Sequence, residues 1–101
     1  MEFIHSYPDG YRELYHKNGK LHYKGCYKNG FKDGYWEDYY SNGQLYYKAT
    51  FKEGIHDGYC EVYNMNGIPT YKGTFVDNEH DGYWIWYLEN GQVNREYFYL
   101  R

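Results

Sequence analysis

The sequence predicts an all-β fold: a single-layer antiparallel β-meander of four stacked 24-residue β-hairpin repeats, about eight strands in all. Three observations carry this. The chain repeats every 24 residues without a slip, on Gly10, Gly34, Gly58 and Gly82 and again on Gly19, Gly43, Gly67 and Gly91. Self-similarity at such a period marks a repeat architecture. Each unit also holds two short runs rich in Tyr, Trp, Phe and Thr around an Asn-Gly pair, the pattern of two strands and a tight turn. Apolar residues follow no 3.6-residue period, and Gly recurs too often for helix.

Residues 1–8 stand outside the repeat. Phe3, Ile4 and Tyr7 are expected to cover the first sheet edge, with Pro8 interrupting pairing there, as an N-terminal edge cap. The repeat array occupies 9–101, with units 9–32, 33–56, 57–80 and a shorter 81–101. The second unit, DGYWEDYYSNGQLYYKATFKEGIH, shows the pattern most fully. Asn-Gly at 18–19, 42–43, 66–67 and 90–91 is expected to form two-residue type I′ turns, with positive φ at both positions. A second turn joins consecutive hairpins and carries Gly30, Gly54 and Asn78 at equivalent positions. Asn is the main non-glycine residue that tolerates the left-handed region, so this position is expected to need positive φ. Asp-Gly follows at each junction and reverses the chain again.

A two-residue turn fixes which residues oppose each other. Glu13 then faces Lys24, Glu37 faces Lys48 and Glu61 faces Lys72, three opposite-charge pairs from one register. In the last unit both partners change together, to Ile85 opposite Glu96. The same register sets Arg12 opposite Gly25, Trp36 opposite Ala49 and Cys60 opposite Gly73, large against small. This face is expected to be the buried one. It adds Leu14, Val62, Trp84 and Trp86 from first strands, and Leu21, Leu45, Val93, Tyr23, Tyr47, Tyr71, Tyr27, Phe51, Phe75 and Tyr99 from second strands. The other face carries Tyr11, Tyr35, Tyr59, Tyr83, Tyr15, Tyr39, Tyr63 and Tyr87 around the Glu-Lys pairs and is expected to be solvated. No second layer is predicted, so about eight strands spaced by about 4.8 Å would span roughly 38 Å.

Composition narrows the function. Tyr supplies 17 of 101 residues, and the formal charge of −3 comes from 14 acidic and 11 basic side chains. Both signs are interspersed, which argues against a nucleic-acid groove or a polybasic membrane patch. Cys26 and Cys60 fall at different repeat positions and are expected to be free thiols of a reducing compartment. The N-terminal stretch has neither the basic nor the apolar region of a signal peptide, so a cytoplasmic location is expected. The Glu column, one hairpin or about 9.6 Å apart, is too sparse for paired carboxylates. His56 and His80 precede Asp-Gly turns and are expected to hydrogen-bond locally. No catalytic set, metal cluster or cofactor motif is present.

The recurring Asp-Gly-Tyr-x-Glu-x-Tyr-x-x-Asn-Gly-x-x-x-Tyr-Lys-x-x-Phe-x-x-Gly pattern, over residues 9–101, resembles MORN repeats. It is most similar to their bacterial variant, the YwqK-type antitoxin family. The resemblance implies elongated sheets of stacked hairpins that act as non-enzymatic protein-interaction scaffolds, sometimes as phospholipid binders. The antitoxin family implies binding and neutralising a partner toxin. A protein partner or a second copy is expected on the apolar face and the C-terminal repeat, through Trp36, Tyr47, Phe51, Tyr71, Phe75, Trp84, Trp86, Leu88, Tyr97 and Phe98. Apolar on both faces, the last unit is expected to be either a cap or a homodimer contact. The alternatives are a phospholipid-binding module, and a sugar- or choline-binding module suggested by the similarity of the Trp36 run to choline-binding repeats.

Overall fold

A computed structural model describes residues 9–100. The strands are β1 (Gly10–Tyr15), β2 (Leu21–Lys28), β3 (Phe31–Tyr39), β4 (Leu45–Lys52), β5 (Ile55–His56), β6 (Gly58–Tyr63), β7 (Pro69–Val76), β8 (Glu79–Tyr87) and β9 (Val93–Tyr99). They form one antiparallel sheet in chain order, with the two-residue β5 hanging from β4. The ninth strand arises because the third first-strand is split. Ile55–His56 pairs with Lys52 and Phe51; Asp57 then turns in to donate to the Thr50 carbonyl, and pairing resumes in β6. The expected N-terminal cap lies outside the described residues. A radius of gyration of 15.5 Å and extents of 50 × 38 × 21 Å exceed the ~13 Å of a compact 100-residue globule, as a single twisted sheet should.

The expected register is present: Glu13 faces Lys24, Trp36 faces Ala49, Glu37 faces Lys48 and Cys60 faces Gly73. The turns that produce it differ from expectation. At Asn-Gly only the glycines have positive φ, 90° at Gly19 and 93° at Gly43. Tyr40 N–H donates to the Gln44 carbonyl and Gly43 N–H to that of Tyr40, which makes a three-residue loop. One extra loop residue would flip a strand, but a bulge absorbs it: Tyr39 pairs with Leu45 and Asp38 with Tyr47, leaving Tyr46 unpaired. A bulge re-aims side chains locally. Leu21, Leu45 and Val93, expected on the buried face, therefore oppose Tyr15, Tyr39 and Tyr87 on the Glu face.

The type I′ geometry sits instead at the turns between hairpins. There both central residues have positive φ: Asn29 and Gly30, Glu53 and Gly54, Asp77 and Asn78. The requirement inferred for Gly30, Gly54 and Asn78 holds, with φ of 85°, 82° and 70°. The Asn of Asn-Gly has another use. Asn18 and Asn42 each accept from the backbone N–H two residues on and donate to a carbonyl of the next hairpin's turn, at Ser41 and Met65.

The core lies on one face: Trp36, Ala49, Cys60 and Trp84 form a buried row, and Phe51 of the adjoining row is buried beside it. Each indole lies across a glycine of the preceding hairpin. A Cβ built on Gly25 would stand 2.2 Å from Trp36 Cδ2, and one on Gly73 2.1 Å from Trp84 Cδ2. Trp36 Nε1 donates to the Cys26 carbonyl and Trp84 Nε1 to that of Thr74, both at 3.0 Å. A flat ring over a glycine, flanked by neighbouring rings, buries itself completely without a second layer.

Candidate functional site

The two faces of the sheet are chemically different, and each is built by the repeat. On the Glu face one row runs Glu13, Lys24, Glu37, Lys48, Glu61, Lys72, Ile85, Glu96 across all the hairpins. The ion pairs do not follow the expected hairpin partners throughout. Lys24 reaches Glu37 and Lys48 reaches Glu61 of the following hairpin, each at 3.4 Å, while Lys72 stays within its hairpin at 3.9 Å from Glu61.

Tyrosines two residues either side share the Glu face and clamp each carboxylate. Tyr11 and Tyr15 donate to Glu13, Tyr35 and Tyr39 to Glu37, and Tyr59 and Tyr63 to Glu61. In the last hairpin Glu96 takes the role from the opposite strand and receives the Tyr83 hydroxyl. That explains the paired change of Ile85 and Glu96.

The Glu face is therefore less solvated than expected, with the Glu61 side chain only 12% exposed. Burial pushes the Glu61 carboxyl up, but the Tyr63 and Tyr59 hydroxyls and both lysines prevail and hold it below the ordinary carboxylate range. Tyr63 is pushed up to about 12 by burial and by the same bond. A charged, fully bonded carboxylate is a structural element here. Glu61→Ala is expected to cost about 2 kcal/mol in urea unfolding, because it strands two hydroxyls and two ammonium groups. The more exposed Glu13→Ala should cost clearly less.

The packing face is aromatic. A second row beside the core alternates across hairpins as Tyr27, Lys32, Phe51, His56, Phe75, His80 and Tyr99. His56 lies between Phe51 and Phe75, with ring centroids 4.6 and 4.8 Å away, and His80 between Phe75 and Tyr99. The two histidines are thus strand residues in a ring stack, and not the locally bonded turn residues expected from the sequence. Burial, and then Lys32, lower the His56 pKa, so the ring is neutral over a wider pH range. Lys32 stands in the first unit at the position of His56 and His80. Its Nζ lies 4.8 Å from the Trp36 ring centroid and 5.0 Å from that of Phe51, and donates to the Tyr47 hydroxyl at 2.9 Å.

This face has a hollow at the middle of the sheet. A cleft of about 310 Å³ is lined by Lys32, Tyr46, Tyr47, Ala49, Phe51, His56, Cys60, Val62 and Tyr71. It opens where Cys60 stands at the repeat position filled by Trp36 and Trp84. Burial pushes the Cys60 thiol up to about 11, which leaves it a small neutral floor to the cleft. A depression of about 400 Å³ at the turn end is bounded mainly by charged side chains, Lys28, Asp33, Lys52 and Glu53 among them.

The residues expected to meet a partner do not form one surface. Trp36 and Trp84 have no exposed area; they are core. Phe51 is also buried, although its edge lines the cleft with Tyr47 and Tyr71. Phe75 and Trp86 are half-buried against Trp84, and Arg95 stacks over Trp86 at 4.4 Å. Tyr97 and Phe98 are exposed on opposite faces of β9, opposing Trp84 and Tyr83 respectively. Leu88 lies at the hairpin end beside Pro69 and Tyr87. The sequence did not place Lys32, His56 or Tyr46 beside the packing-face rings, nor show the cleft at Cys60. Applying the two-residue rule to the second turn would have found His56, since it sets Phe51 opposite His56. No group of three or more His, Cys, Asp or Glu could hold a metal among the described residues.

The sequence profile described as MORN repeat variant matches residues 8–29, 32–53 and 81–100. The chain belongs to the MORN repeat variant family. MORN repeats are generally protein- or membrane-interaction modules, and the family is generally non-enzymatic. The profile passes over 57–80, yet that stretch folds as the same hairpin, β6 with β7. This MORN unit carries Cys60 for tryptophan, Pro69 for a strand aliphatic and Asn78 for glycine. No curated protein matches the chain, and no solved structure does.

Proposed function

We propose that this MORN array is a non-enzymatic module that holds a partner protein against its packing face. The observation that supports this is the cleft at Cys60, rimmed by aromatic rings and covered by no other element among the described residues. Aromatic rings around a desolvated hollow are the usual anchors of protein contacts. The net charge of −3 gives an anionic membrane little to hold, which favours protein over lipid. Antitoxin-like neutralisation of a partner toxin in the cytoplasm is one form this activity would take.

A photocrosslinking residue at Val62, on the packing face, is expected to give a discrete adduct in cells of the source organism. The same residue at Tyr59, on the Glu face, should give none. Equal labelling from both, or none from either, would overturn the proposal. Pelleting of the protein with phosphatidylserine vesicles at physiological salt would favour the lipid reading instead.

The exposure of Tyr97 (52%), Phe98 (60%) and Val93 (49%) on β9 supports a second reading, self-association through the C-terminal repeat. Wild type is then expected to sediment as a dimer and Phe98→Asp as a monomer. A monomeric wild type would sink this version.

A further inference from the structure

The core row at one height across the sheet reads Arg12, Gly25, Trp36, Ala49, Cys60, Gly73, Trp84, Tyr97. Two of its hairpin junctions are the same: a glycine on one strand and an indole from the next lying over it. The junction between them holds Ala49 and Cys60, and it is the one with the cleft. The surroundings of an indole are nonetheless retained there. Tyr23 and Tyr27 flank Trp36 at 5.5 and 5.1 Å, and Tyr71, Phe75 and His80 flank Trp84 at 5.7, 4.9 and 4.3 Å. Their repeat equivalents at the middle junction are Tyr47, Phe51 and His56, and all three line the cleft, with Ala49 and Cys60 beneath them only 1% and 2% exposed. The Thr50 carbonyl, which accepts from Asp57 N–H and keeps a second lone pair, stands at the repeat position of the Cys26 and Thr74 carbonyls that accept the two indole N–H groups.

We infer that the cleft over Cys60 is a receptor for an indole-sized aromatic side chain, tryptophan above all, presented by a partner polypeptide. The guest lies among the rings equivalent to those that flank the chain's own tryptophan in the neighbouring hairpins, raised off the strand by the Ala49 methyl. Ala49 and Cys60 act as a matched pair in this. The Ala49 methyl stands where a Cβ on Gly25 or Gly73 would strike the indole, so it bars a ring tethered at position 60 from lying against the strand, whereas a ring from a partner is free to settle above the methyl. Lys32, already packed over Phe51 and Tyr47, adds a cation to the rim that favours a π face. That the ring arrives on a protein rests on the function proposed above; that the cleft accepts such a ring does not.

The test uses the whole chain, with N-acetyl-tryptophanamide and 5-fluoroindole as probes and N-acetyl-leucinamide as the control. Saturable amide shifts are expected for the two aromatic probes, with dissociation constants on the order of 1 mM. They should concentrate at 47–51, 56–62 and Tyr71, with at least about tenfold weaker response to the leucine control. Ala49→Gly/Cys60→Trp restores the pattern of the flanking junctions. Folded, as judged by its amide spectrum, it should lose the binding as its own indole fills the cleft.

Absence of saturable shifts in wild type, shifts clustered elsewhere, or undiminished binding to the folded double variant would each overturn the inference. Should the double variant not fold, the wild-type map alone decides. Competition separates this inference from the functional proposal. A Val62 crosslink that N-acetyl-tryptophanamide abolishes supports both. A crosslink indifferent to the probe leaves the module reading standing and removes the aromatic anchor. Saturable probe binding without any crosslink does the reverse.

Discussion

Gly73→Ala is expected to lower stability by about 3 kcal/mol, a large share of the 5–15 kcal/mol that typically holds a domain together. Gly73 has an ordinary backbone conformation, and in such a strand position alanine normally stabilises by limiting the unfolded chain. Sterics reverse the sign. The added methyl would lie 2.1 Å from Trp84 Cδ2, and the obstacle is the face of a fully buried ring. The indole must leave its slot, with its hydrogen bond to Thr74 and its packing on Phe75 and His80. Gly25→Ala should behave alike against Trp36.

Trp84→Cys alone opens a void and is expected to cost about 3 kcal/mol as well. The double variant Gly73→Ala/Trp84→Cys copies the Ala49–Cys60 junction. It should fall short of the summed losses by about 2 kcal/mol, since the clash disappears and the methyl fills part of the void. Urea unfolding of the four proteins gives the cycle. Strict additivity would show that the ring and the glycine are not coupled.

Stability is expected to hold to about pH 10 and then fall steeply towards pH 12. Tyr39 and Tyr63 are pushed up to about 12, by burial and then by hydrogen bonds to Glu37 and Glu61; Tyr47 is pushed up to about 12 by burial. Tyr35 and Tyr59 are raised as well, by burial and by the same carboxylates. The unfolded chain ionises its tyrosines near pH 10. A folded pKa above the unfolded one means that the folded state holds these protons more tightly. The stabilisation is complete below pH 10 and is lost as pH rises through the folded values. Solvent screening keeps each clamp to about 0.5–1 kcal/mol, but several titrate together. Urea midpoints at pH 8, 10 and 12, read beside phenolate absorbance, should show unfolding and ionisation rising together. An unchanged midpoint at pH 12 would refute the clamps. At the acid end the sign reverses. Glu37 and Glu61 sit below the ordinary carboxylate range, so their contribution is complete above the unfolded value of about 4.3 and is lost as pH falls from there through the folded values.

The expected register at Glu37 and Lys48 is correct although the turn assigned to it is not. A three-residue loop and a one-residue bulge together displace the strand by an even count, so everything beyond Tyr46 keeps its face. Leu21, Leu45 and Val93, between loop and bulge, change face for the same reason. The Y-x-E-x-Y spacing of the clamps was on the page in three units, since residues two apart share a strand face. Which lysine each carboxylate takes was not, because a lysine in the middle of the row has a glutamate on either side.

The 24-residue period, the Asn-Gly and Gly30-type turns and the alternation of ring types determined the sheet, its order and most of its register. These are local signals: turn chemistry and strand periodicity act between residues near in sequence. The tertiary structure decided the core and the cleft. Trp36 is set against Ala49 within its own hairpin, but the contact that buries it is with Gly25 of the hairpin before. Packing across that junction joins residues whose sizes no turn relates. Ala49 with Cys60 therefore looks unremarkable in the sequence, and becomes a vacancy only when set between two junctions that hold an indole.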